Sequence, residues 1–417
     1  MKIWRIPCKG GYDFLLNREN GKWLIQKANF NSDLTCLEKR EPHKFGGLDI
    51  IVLNTTTRCN LDCSYCLVGD RKKQQLDFSW DVGEELIKKC LNHPQRNITI
   101  VYHGSEPLMN FSFIKEFTHY TKKRFKGTNK NVFFSLQTNA AMLNESMLEF
   151  LDREDIQLSF SLDGLKQHND STRNFPSGDS SYWDVKRGIE LARKYGKITF
   201  PITVVSKHNV RDLLEIVGDA MKQGFPCIQL TPVEPLGTAA RADLSPDPDL
   251  LAENFIKVYE ENFKWALNGN KFKIRNLKNI LATFFAPTIP NACSICGINR
   301  LQVLGVDING DLYPCDMWFG RKEYSMGNIA EMSIKEALDS DKNFRNYRRV
   351  ELIRGGEDFP FIRLHTAGCP ANSYSTGDIF NPSSYTRTYE EVYTYLATQL
   401  PFLIKNKLID FFLKNEK

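Results

Sequence analysis

The sequence predicts an α/β fold: a partial (β/α)6 barrel with a small C-terminal domain that carries cysteines. Three observations predict it. Apolar, β-branched runs alternate with amphipathic helical stretches from about residue 49 to 230, three cysteines follow the first run, and a second cysteine group occupies 291–376. The apolar runs fall at 48–53, 98–102, 132–136, 156–160, 198–205 and 227–230, with helical periodicity at 80–92, 111–125, 145–151, 183–195 and 210–223. Strands separated by helices build a parallel sheet through right-handed crossovers. Six repeats are too few for a closed eight-stranded barrel, so the barrel is expected to be open, with ligands at the C-terminal ends of its strands.

The elements follow in order. Residues 1–47 read as an N-terminal β-hairpin extension: Tyr12-Asp-Phe-Leu-Leu-Asn17, a turn through Glu19-Asn-Gly21, then Lys22-Trp-Leu-Ile25. The barrel is expected over 48–240 and closes in the proline-rich stretch 232–248; a helical linker over 241–290 holds a helix near 250–268. Within 291–376, Asn309-Gly310 between 303–308 and 312–313 is a strong hairpin signal. Residues 377–417 read as a C-terminal helical tail.

Composition narrows the class. A chain of 417 residues with 41% hydrophobic and 25% charged residues has enough material for a sizeable core. A net charge of +5 without a block of five or more like charges permits an acidic peptide or nucleic-acid partner but demands neither, and no nucleic-acid partner is expected. No eighteen-residue apolar stretch is present and Met1–Pro7 lacks the apolar core of a signal peptide, so no membrane is expected and the location is expected to be cytoplasmic. In a reducing compartment, closely spaced members of the eleven cysteines read as metal ligands or catalysts rather than disulfides.

Cys59, Cys63 and Cys66 form a C-x3-C-x2-C run at the end of the first predicted strand. Three thiolates can hold three irons of a cubane and leave the fourth iron open to a ligand; the paired spacing typical of zinc is absent. Further polar groups fall at later strand ends. His103-Gly104-Ser105-Glu106-Pro107 follows the second, Gln137-Thr138-Asn139 the third, and Ser161-Leu-Asp163-Gly164 the fourth, with Arg173 shortly after. Glycine permits close backbone approach, Glu106 can accept from an ammonium, Ser161 and Asp163 from a ribose, and Arg173 can clamp a carboxylate. Each alone is ordinary turn chemistry. Their succession behind one cysteine triplet is not.

On these residues the chain resembles the radical S-adenosylmethionine superfamily, whose signature is this triplet. The resemblance implies a [4Fe–4S] cluster on Cys59, Cys63 and Cys66 that binds S-adenosylmethionine at its open iron. It further implies a 5′-deoxyadenosyl radical that abstracts hydrogen from a substrate. Tyr65 would lie near the adenine. Gly104-Ser105-Glu106-Pro107 is similar to the family's Gly-Gly-Glu-Pro, which places the methionine amine, with Ser105 in the second glycine's position. Gln137-Thr138-Asn139 resembles Gln-Thr-Asn-Gly, with Ala140 at the glycine. Ser161 and Asp163 would face the ribose or methionine, Arg173 the carboxylate, and the backbone around Leu230 in Ile228–Pro232 the adenine.

Cys296, Gly310 and Cys315 reproduce the C-x(9–15)-G-x4-C element of the SPASM/twitch extension, which holds auxiliary iron–sulfur clusters. Cys293, Cys296, Cys315 and Cys369 supply four thiolates, enough for one fully ligated cubane, with a structural zinc as the alternative. Two [4Fe–4S] clusters, one of each kind, are therefore expected. Asp316 follows Cys315 where the related anaerobic sulfatase-maturating enzymes have an aspartate that resembles a proton acceptor; a hairpin-end cap is the other reading. His103 and Glu234 are weaker candidates at strand ends.

The resemblance implies a peptide maturase: a ribosomally made precursor peptide as substrate, a C–C, thioether or ether cross-link as product, and an external electron donor such as flavodoxin or ferredoxin. Formylglycine formation, as in sulfatase maturation, and epimerisation are the alternatives within the family. A non-catalytic iron–sulfur electron carrier is the alternative from another class.

Overall fold

The computed structural model describes residues 2–28, 48–197, 200–285, 303–344 and 350–414. Its centre is the expected succession of six parallel strands: β4 (Ile50–Asn54), β5 (Asn97–His103), β6 (Asn131–Thr138), β7 (Ile156–Ser161), β8 (Phe200–Val205) and β9 (Cys227–Pro232). They lie side by side in chain order, so every crossover has the same sense of travel across the sheet. Along β5 buried positions alternate with partly exposed ones, because one face lines the barrel and the other meets the helices.

The helices lie where the 3.6-residue period places them. Trp80–Asn92 buries Gly83, Leu86, Ile87 and Cys90, one stripe that packs on Phe111–Phe125. Gly83 is needed there, since a Cβ would stand 2.9 Å from the Phe117 ring. The outer helices Glu145–Arg153, Tyr182–Lys194 and Leu213–Lys222 repeat the pattern.

The sheet extends past the six strands at both edges. β10 (Lys273–Ile274) adds in parallel beside β9, and β11 (Val303–Val306) adds in parallel beside β4. β12 (Asp311–Tyr313) and β13 (Gly327–Asn328) continue antiparallel, giving a ten-stranded open sheet. The Asn309-Gly310 hairpin thus forms, with Gly310 at φ +87°, but it is continuous with the barrel sheet. Covering an otherwise bare edge of β4 is the physical reason.

The N-terminal hairpin forms and gains a strand: β1 (Ile3–Cys8), β2 (Tyr12–Asn17) and β3 (Trp23–Lys27) make an antiparallel meander. Its inner residue Phe14 stacks on Trp23 and meets Phe284 and Phe361. The tail is helical over Thr386–Lys405 and Leu408–Leu413, and Thr386–Lys405 packs against the helix Pro248–Leu267. Among the described residues no helix is long and apolar enough to cross a membrane.

Candidate active site

The cysteine loop leaves β4 and is stitched down on both sides. Thr55 donates through its N–H and hydroxyl to the His103 carbonyl, and Arg58 grips Asp77 through Nε (2.9 Å) and Nη2 (2.7 Å). The amides of Asp62 and Ser64 donate to the carbonyls of Asn174 and Thr172, the neighbours of Arg173. Thr238 donates to the Cys66 carbonyl, and Gly237 lies so close that a Cβ would stand 2.3 Å from that oxygen. Cys59, Cys63 and Cys66 form no disulfide and lie partly buried at the C-terminal face of the sheet.

Burial and the nearby Glu106 charge push the Cys59 thiol up to about 12, and burial raises Cys63 against the pull of Arg173. Thiolates in such a place call for cationic partners. Among the described residues no three His, Cys, Asp or Glu side chains converge on a single metal ion. A cubane takes one thiolate at each of separate irons, and three partly buried cysteines on one loop supply donors of that kind.

Gly104 has φ +118°, and a Cβ there would stand 2.3 Å from Asn54 Oδ1 and 2.8 Å from the Thr56 carbonyl. Gly104→Ala is therefore expected to displace the turn and lower stability by about 2 kcal/mol or more, measurable as a fall in Tm. Ser105, in place of a second glycine, has a buried hydroxyl without a protein partner. Glu106 is buried and accepts from the Leu108 amide (3.1 Å), the Thr138 hydroxyl (2.7 Å) and the Asn139 amide (2.8 Å). Its carboxylate thus ties the second strand-end turn, which includes Pro107, to the third. One of about four acceptor positions remains for an ammonium.

Asn139 donates to Asn60 of the cysteine loop and accepts from the Ala141 amide. Gln137 is half-buried on β6 and Ser161 half-buried at the end of β7. Ala140 adopts φ +65° at the expected glycine position.

Tyr65, Asp163 and Arg173 form one buried chain. Tyr65 donates to Asp163 Oδ2 at 2.6 Å, and Arg173 Nη1 donates to the Tyr65 oxygen at 2.7 Å. Thr172 and the Val204 amide also donate to Asp163. The expected outward roles of Tyr65 and Asp163 are thus joined by an inward one: Tyr65 holds Arg173, and Asp163 holds Tyr65. Arg173 Nε is buried and has no protein partner, which leaves it a donor for a carboxylate. Leu230 is fully buried; its N–H donates to Asn276 Oδ1, and its C=O accepts from Asn276 Nδ2.

The auxiliary region reaches the same face. Asp316 Oδ2 lies 3.9 Å from His103 Nδ1, and both side chains are partly exposed. Cys315 and Cys369 share one apolar cluster with Leu236, Tyr313, Trp318 and Phe344, while Cys293 and Cys296 lie outside the described residues.

Glu234 accepts from Asn372 at 2.7 Å, and burial pushes its carboxyl up to about 7. A carboxyl raised above its ordinary 4.5 stabilises the fold fully below pH 4.5, and this contribution is lost as the pH rises through about 7. Glu234→Gln is expected to remove that decline, on the order of 3 kcal/mol, seen as a flatter dependence of Tm on pH.

Arg58, Asn60, Asp77 and Asn276 were not singled out in the sequence. Arg58 and Asn60 flank Cys59, which is the signal that could have found them; Asp77 and Asn276 carry none.

An open parallel sheet whose strand ends gather three thiolates, a buried carboxylate and a half-free guanidinium defines a class: iron–sulfur enzymes that bind a zwitterionic nucleotide cofactor. The comparisons agree. Residues 53–220 match the radical SAM superfamily, and residues 293–360 match SPASM, an iron–sulfur cluster-binding domain. The chain is a radical SAM enzyme with a SPASM domain, and its cofactors are S-adenosylmethionine, a [4Fe–4S] cluster and an auxiliary iron–sulfur cluster.

The chain is 28% identical over 311 residues to the cysteine-type anaerobic sulfatase-maturating enzyme of Clostridium novyi, covering 71% of this chain and 81% of that one. It is 25% identical over 379 residues to the serine-type enzyme of Bacteroides thetaiotaomicron, covering 83% and 89%. Among solved structures, anSMEcpe with bound AdoMet superposes with a TM-score of 0.76 at 23% identity, over 87% of this chain and 99% of that one. Streptococcus suis SuiB bound to precursor peptide SuiA superposes with 0.56 at 13%, over 92% and 99%. An enzyme stands where an electron carrier was the alternative.

Proposed function

We propose that the protein modifies a residue within a peptide chain by radical chemistry, with Asp316 as the proton acceptor. The observation that carries this is the meeting of Asp316, from the auxiliary region, with His103 at the end of β5, on the face that bears the cysteine triplet. When bound, the cluster and S-adenosylmethionine supply a radical that removes a hydrogen atom from a substrate carbon.

The residues of the chain divide the remaining work. Glu106, Ser105 and Arg173 offer an acceptor, a hydroxyl and a guanidinium Nε for the methionine end of the cofactor. Tyr65 and Asp163 hold the guanidinium in place. Asp316 takes the proton that the substrate radical loses together with its remaining electron, and the auxiliary cluster, when bound, would supply the acceptor for that electron.

Oxidation of a cysteine or serine to formylglycine is the reading favoured by the named activities of the relatives. Cross-link formation in a ribosomally made peptide uses the same radical and the same base, and SuiB, whose structure holds a precursor peptide, shares the fold. An external one-electron donor such as flavodoxin or ferredoxin would reduce the first cluster.

The test is reconstitution with iron and sulfide, chemical reduction, and incubation with S-adenosylmethionine and a synthetic peptide that contains cysteine or serine. Formation of 5′-deoxyadenosine together with a changed peptide mass is expected. Its absence with intact clusters would exclude the proposal. Iron should reach about eight per chain for two cubanes, and about four with zinc recovered would move the second cysteine group to a structural zinc.

A further inference from the structure

The segment between Asp307 and Gly320 carries Cys315 and Asp316, and both of its ends touch the side chain of Arg71. Arg71 belongs to the turn Gly69–Gln74, which directly follows the cysteine loop. Its Nη2 donates to Asp307 Oδ1 at 3.0 Å and to Oδ2 at 2.7 Å. Asp307 stands just past β11 with only 4% of its side chain exposed, and it also accepts from Asn54 (2.7 Å) and from the Ile308 amide (2.9 Å). Asn54 ends β4, the strand that feeds the cysteine loop.

At the other end, Gly320 adopts φ +80°, and a Cβ there would lie 2.9 Å from Arg71 Cδ and Nε. The guanidinium arm therefore runs through a slot that only glycine leaves open. Gly305 on β11 similarly lets the Cys315 backbone approach, where a Cβ would stand 2.9 Å from its carbonyl carbon.

We propose that the Arg71–Asp307 pair is a positioning device that links the cysteine loop to the auxiliary hairpin and holds Asp316 over the strand ends beside His103. A nearly buried carboxylate held by three protein donors through four hydrogen bonds has one arrangement, so the hairpin inherits its place from the cysteine loop. Arg71 and Asp307 spend these hydrogen bonds on each other, Asn54 and the Ile308 amide, and so act as positioning residues through Asp316. The inference rests on the reading of Asp316 given above. A displacement of Asp316 by about 1 Å is enough to cost on the order of 100-fold in product.

The test uses the full-length, iron-loaded enzyme with Arg71→Met, Asp307→Asn and Gly320→Ala, and with Arg71→Lys as the conservative variant. Iron content and S-adenosylmethionine cleavage are expected within about twofold of wild type, while modified peptide per 5′-deoxyadenosine falls about tenfold or more. Arg71→Lys, which keeps the charge but loses the fork, is expected to recover part of the coupling. Coupling unchanged in all variants would overturn the proposal. So would joint loss of iron and cleavage, which would make the pair a support of the cluster loop only.

A second readout needs no peptide, and it stands if the wild type itself modifies none and the proposed function fails. Amide exchange over 307–320 is expected to quicken about tenfold in Arg71→Met while β5 and β6 stay protected. Unchanged exchange over that segment would refute the linkage directly.

Discussion

Asp316→Asn is expected to lower peptide modification by about 10²- to 10⁴-fold, the range for loss of a positioned base, while S-adenosylmethionine cleavage continues. Asparagine keeps the size and shape of the side chain but cannot take up a proton at neutral pH. The Asp316 side chain is 26% exposed, and His103 Nδ1 lies 3.9 Å from its Oδ2, outside hydrogen-bond distance. Its replacement should therefore shift stability by no more than about 0.5 kcal/mol. Cluster content, read from iron analysis and optical spectra, should stay at the wild-type value. The measurement is the ratio of modified peptide to 5′-deoxyadenosine. A ratio equal to wild type would remove Asp316 from the chemistry and leave it a hairpin cap.

Arg173→Met should weaken S-adenosylmethionine binding by about 10- to 100-fold, the loss of a charged hydrogen bond. It should also destabilise the fold by about 3–5 kcal/mol. Both effects follow from one geometry. Nε is buried without a protein partner, and Nη1 holds the Tyr65 hydroxyl, which in turn holds Asp163. Removing the guanidinium leaves the buried Asp163 carboxylate without the cation that offsets its burial. Arg173→Lys restores the charge but not the planar fork, so it should recover more of the stability than of the affinity. Equilibrium titration with S-adenosylmethionine and thermal melting separate the two. A lowered Tm with unchanged affinity would make Arg173 scaffold alone.

The core of the fold was legible because local patterns encode it. A period of two in β5 and of 3.6 in Trp80–Asn92 each depends on neighbours in the chain, and so do the spacing of Cys59, Cys63 and Cys66 and the turn at Asn309-Gly310. The edges of the sheet were less legible. β11 has only four residues and finds β4 across some 250 positions, and β10 has only two, too short for any periodic signal. In the site, residue types were readable but partners were not. Glu106 reads as an acceptor in sequence, and only the fold shows that Thr138, Asn139 and Leu108 already use most of it. Tyr65 reads as an aromatic near a base, and only the fold makes its hydroxyl the link between Asp163 and Arg173.

By itself, then, the sequence determined the parallel α/β order, the thiolate triplet and the chemistry available at each strand end. All of these follow from short-range spacing, and burial of one face of each element then carries them into place. The tertiary structure alone decided which groups face the reaction and which hold others still. Asp316 reaches His103, and Arg71 reaches Asp307, across 213 and 236 positions respectively. Such contacts depend on the edge of β4 taking up β11, and no local period in the chain records that pairing.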